Sequence, residues 1–69
     1  MPKITLHGNR NGVPETCEFD VTEVHIAVEH ASEEMFLGHW TRPYIADASG
    51  TVTMDTEAIK RFARECGML

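Results

Sequence analysis

Histidine and cysteine are the side chains in this sequence best suited to hold a metal or attack a substrate. The chain has His7, His25, His30 and His39, with Cys17 and Cys66. A catalytic zinc takes three protein ligands and keeps one position open, and a structural zinc takes four. On a helix, His25 and His30 point about 140° apart, so they cannot close on one ion as an i, i+4 pair does. His25 with Glu29 has that spacing, and His30 with Glu33 or Glu34 is close to it, which predicts surface histidines paired with carboxylates. Neither HExxH nor CxxC occurs. A cysteine nucleophile needs a base and electropositive surroundings. Cys17 stands instead between Glu15 and Glu18, and Cys66 falls at the negative end of a predicted helix. Both thiols read as partly buried core groups, with a disulfide between the first hairpin and the last helix as the alternative.

The nucleotide and hydrolase signatures GxxxxGK[ST] and GxSxG are also missing. A chain of 69 residues has little room to enclose the roughly 300 Å³ that a small-molecule site usually occupies. The expectation is a protein that is not an enzyme and uses no metal or cofactor. A metal- or histidine-dependent activity is the alternative.

The elements that position these residues follow from patterning. Lys3 to His7 alternates, with Ile4 and Leu6 on one face, as a half-buried strand does. Asn11-Gly12 is a strong hairpin signal. Alternation then resumes from Val13 to Asp20, with Cys17 and Phe19 inward and Thr16, Glu18 and Asp20 outward, while Pro14 belongs near an edge. Val21 to Leu37 supports two readings. As a strand, Val24, Ile26 and Val28 alternate with polar neighbours up to Glu29, leaving a helix from Ala31 to Leu37. As one helix, Val24, Ala27, Val28, Ala31 and Met35 form a stripe, with Asp20 as N-cap, Glu23 as its capping-box partner and Gly38 as the stop. The helix is preferred, because 17 residues without glycine or proline outlast a typical strand. Ser49-Gly50 marks a second turn before a short strand at Thr51 to Met54. Asp55 or Thr56 then caps a last helix with Ala58, Ile59, Phe62, Ala63 and Cys66 inward, ended by Gly67. The order is ββαββα: one small α+β domain over residues 1–69, with antiparallel hairpins packed against one or two helices.

Charge bounds the partners. The net charge is −5, and from Glu15 to Asp55 nine carboxylates accompany a single base, Arg42. Phosphate backbones select the opposite balance, so direct nucleic-acid binding is not expected. Lys60, Arg61 and Arg64 share a helix with Glu57 and Glu65 and read as a solvated face. No apolar stretch approaches the ~20 residues of a membrane span, and no leader pattern precedes one, so the cytosol is the expected location.

Large apolar groups then cluster around the middle turn. Phe36 and Leu37 point about 100° and 160° away from the Met35 stripe. Either the Trp40 loop folds back over them, or Ile26, Phe36, Leu37, Trp40 and Tyr44 form a contact face. The functional expectation is a protein-binding module that uses this face, with Glu18, Asp20, Glu23, Glu29, Glu33 and Glu34 steering a basic, nucleic-acid-binding partner. Such a chain could inhibit its partner as phage-encoded inhibitors of host defence do, anti-CRISPR proteins among them; that likeness is one of size and charge, carried by no motif. A structural homo-oligomer, such as a homodimer, is the alternative.

Overall fold

In a computed structural model, which describes residues 2–67, the chain first reverses at Asn11-Gly12. Both residues have positive φ, 53° and 83°. That is the geometry of a type I′ turn, which matches the twist of the strands it joins. It fixes the register of β1 (Lys3–Arg10) against β2 (Val13–Asp20), with Arg10 opposite Val13 and Lys3 opposite Asp20. Ile4 and Leu6 face inward, with Cys17 and Phe19 packed beside them.

The segment that could have been a strand is helical. A single 3-10 turn, Val21–Glu23, leads into α1 (Val24–Phe36). Glu23 accepts a hydrogen bond from the Asp20 amide at 3.0 Å, satisfying a backbone donor at the helix entrance. The stop lies where the sequence places it, with the Gly38 amide donating to the Met35 carbonyl at 3.1 Å. Ala27, Val28 and Ala31 are fully buried, and Val24 and Met35 pack against them.

Beyond a loop, β3 (Tyr44–Asp47) and β4 (Val52–Met54) form the second hairpin. Its turn is organised by Asp47, whose carboxylate accepts from the Ser49 hydroxyl at 2.6 Å, the Ser49 amide at 2.9 Å and the Thr51 amide at 3.0 Å. These donors, the Ser49 hydroxyl foremost, hold the Asp47 carboxyl below its ordinary pKa. Asp55 caps α2 (Thr56–Glu65), accepting from the Ala58 amide at 2.8 Å. Ile59 and Ala63 enter the core, whereas Cys66, expected to be partly buried, is exposed one residue past the helix. Both cysteines are free thiols.

The sheet order is β2-β1-β3-β4, antiparallel throughout. Both helices lie on the face that presents Ile4, Leu6 and Ile45. The shortest dimension is 15 Å, the thickness of one sheet and one helix layer, so the opposite face is bare. The alternation of the strands puts Thr5, His7, Thr16, Glu18, Asp20, Tyr44 and Val52 on that bare face.

Trp40 corrects the expected contact face. It is 4% exposed and belongs to the core. Its loop does fold back, but over Gly8 rather than over Phe36 and Leu37, which remain exposed. Gly8 is the strand position with no Cβ to block an indole. The Trp40 ring also meets His30 edge-on at 5.3 Å.

Candidate functional site

The residues expected to form one contact face lie in three places. Trp40 is in the core, and Tyr44 is on the bare sheet face, stacked on His7 with ring centroids 4.6 Å apart and planes 9° from parallel. Ile26, Phe36 and Leu37 stay together. Ile26 and Phe36 on α1, with Leu37 at its C-cap, share the outward stripe with Glu29 and Glu33, since positions 26, 29, 33, 36 and 37 recur at helical spacing opposite the buried residues. Phe36 is 84% exposed, Leu37 53% and Ile26 41%. The stripe thus has apolar groups at both ends and two carboxylates between them.

The six carboxylates do not form one surface. Glu18 and Asp20 project from β2 on the bare face, where Asp20 pairs with Lys3 at 2.6 Å. That pairing, the hydrogen bond first, raises the Lys3 pKa. Glu23 serves the helix entrance, and Glu34 turns towards β1 and the loop. Among the described residues no ion pair engages Glu29 or Glu33. They are left available to a partner.

The histidines are dispersed, and the described residues bring no three metal-ligating side chains together. Among the described residues, neither expected pairing forms. Glu34 accepts from His39 at 2.9 Å rather than from His30, while His30 lies 4.0 Å from the Cys17 sulfur. His25 and Glu29 do not form an ion pair among the described residues. Room for a ligand is greater than chain length suggested: an apolar cavity of about 550 Å³ opens beside Ile4, Val21, Val24 and Met54, and one of about 310 Å³ opens beside His7, Asn9, Arg42 and Tyr44. The first lining includes Ser49 with its hydroxyl on Asp47, the pair that organises the β3–β4 turn, and neither lining sets two carboxylates side by side. Among the described residues, no helix is long and apolar enough to cross a membrane.

Sequence reasoning missed the polar chain that seats Trp40. The indole N–H donates to Glu15 Oε1 at 2.8 Å, Arg10 Nε donates to the same oxygen at 2.9 Å, and Arg10 Nη2 donates to Glu34 at 3.0 Å. Indole and guanidinium, in that order, hold the Glu15 carboxyl below its ordinary pKa, while the Glu15 hydrogen bond raises the pKa of Arg10. A carboxyl with a lowered folded-state pKa stabilises fully above its ordinary range, and this contribution disappears as pH falls through the lowered value. Glu15→Gln keeps an acceptor for the indole but loses the charge. We therefore expect its thermal midpoint to lie below that of the wild type at about pH 7 and the gap to close as pH falls through the lowered Glu15 pKa. A gap independent of pH would remove the charge from the account.

No family model, curated protein or solved structure matches the chain.

Proposed function

We propose that this chain is a non-enzymatic protein-binding module that docks the outer face of α1 on a protein with a basic surface. The observation that carries this reading is Phe36: a phenylalanine 84% exposed at the end of a helix whose outward stripe also holds Glu29, Glu33 and Leu37. Aromatic anchors beside a charged rim are the composition of protein interfaces. The carboxylates choose the kind of partner. A second copy crossing α1 antiparallel would bring Glu29 and Glu33 against their own counterparts, whereas lysine or arginine there is attracted and steered in. An inhibitory role fits this mode, because Glu29 and Glu33 seated on the basic surface of a nucleic-acid-binding protein would exclude phosphates from it.

The test joins salt dependence to substitution. Protein immobilised through its C-terminus is expected to retain a partner with a basic surface at low ionic strength and to release it as the screening length falls from about 8 Å at 0.15 M salt to about 3 Å at 1 M. Glu29→Gln/Glu33→Gln is expected to weaken retention about tenfold, with Glu57→Gln on α2 as the neutral control. Light scattering should show a monomer. A stable dimer that buries Phe36, or retention indifferent both to salt and to the double substitution, would overturn the proposal.

A further inference from the structure

The sheet ends in two unequal edges. β4 is three residues long, which leaves little to pair with, but β2 is eight residues long and pairs with β1 alone. A two-residue hairpin fixes which backbone groups face which way. Arg10 and Val13, flanking the turn, exchange hydrogen bonds, and alternation then turns Glu15, Cys17 and Phe19 towards β1. The backbone groups of Pro14, Thr16, Glu18 and Asp20 face outward.

This outward row is restricted at both ends. Pro14 has no N–H to offer, and the Asp20 amide already donates to Glu23 at 3.0 Å. What is left open is the amides of Thr16 and Glu18 with the carbonyls of Pro14, Thr16 and Glu18, a window for a short extended segment. Side chains sort the two faces of that window. Thr16 and Glu18 stand exposed on the bare face, and Cys17 lies on the helix side beside His30. β2 carries Glu15, Glu18 and Asp20 and no lysine or arginine. A second copy paired here about a twofold axis would therefore gather the Glu18 carboxylates of both chains on one face, where the neighbouring cation, Lys3, is already paired with Asp20.

We propose that β2 is a strand-addition site for an extended basic segment of a partner protein, separate from the outer face of α1. The incoming chain pairs with Thr16 to Glu18 and places lysine or arginine opposite Thr16 and Glu18, with a small apolar residue opposite Cys17. The pattern basic, apolar, basic follows because paired residues share a face of the sheet. Main-chain hydrogen bonds supply the binding, and Glu18 supplies the preference for a cation.

A capped pentapeptide, Lys-Val-Lys-Val-Lys, titrated into the isotopically labelled protein, tests this. The largest amide shifts are expected at Thr16 and Glu18, whose exchange with solvent should slow. Thr16→Pro deletes an outward amide that β1 does not use and should weaken binding about tenfold or more. Glu18→Lys, which leaves the strand intact, should abolish binding of the lysine peptide and admit the peptide with glutamate in place of lysine. Phe36→Ala should leave the titration unchanged, so that failure here and failure of the α1 face are read separately. Shifts centred on Phe36 and Leu37, undiminished binding to Glu18→Lys, or a dimer already protecting the Thr16 and Glu18 amides without peptide would each overturn the proposal.

Discussion

Gly8→Ala is expected to bring the protein close to its unfolding midpoint at 25 °C. A Cβ at Gly8 would stand 2.2, 2.4 and 2.5 Å from three carbons of the Trp40 indole, well inside the ~3.5–4.0 Å of carbon contact. The ring cannot slide aside, since its N–H is held by Glu15, its edge meets His30, and its own amide donates to the Glu34 carbonyl at 3.3 Å. It must leave the core, and loss of a buried tryptophan costs about 3–5 kcal/mol. A domain of this size holds only ~3–5 kcal/mol of net stability, so one methyl group consumes nearly all of it. Urea denaturation followed by circular dichroism would measure the loss. Trp40→Leu on top of Gly8→Ala should recover part of it, because the two substitutions act on one contact and do not add. A Gly8→Ala protein that melts within a few degrees of the wild type would show that the ring is not seated as described.

The same residue explains why part of the structure was legible in the sequence and part was not. The first hairpin was written locally, in Asn11-Gly12 and the alternation on either side. So was α1: Val24, Ile26 and Val28 favour extended backbone, but Glu23, Gly38 and the spacing of buried residues between them outweigh that preference. Trp40 was misplaced because its seat is made by residues far earlier in the chain. Gly8 provides the hollow and Glu15 the acceptor, and nothing near Trp40 announces either. Tyr44 was misplaced for a related reason. Its face depends on the register of β3 against β1, where it meets His7, and a one-residue slip would have turned it inward. The exposed part of the predicted contact face, Ile26, Phe36 and Leu37, was legible because helical periodicity alone decides it.

That difference in origin sets up the opposite result for Phe36→Ala, which is expected to leave folding intact while removing partner binding. With 84% of Phe36 in solvent, truncation opens no cavity. Alanine is also the better helix former, by up to about 0.7 kcal/mol at an interior position and less near a helix end. The thermal midpoint should therefore stay level or rise slightly. Binding should behave differently. An aromatic anchor at the centre of an interface contributes about 2–4 kcal/mol when truncated, or roughly 30- to 1,000-fold in Kd. The two readouts move in different directions only if the phenyl ring is reserved for contact with another molecule. Leu37→Ala, at 53% exposure, should show the same sign with a smaller loss of binding. Were Phe36→Ala to destabilise the fold by as much as a core truncation does, the ring would be closing the domain itself, and the outer face of α1 would have no anchor to offer a partner.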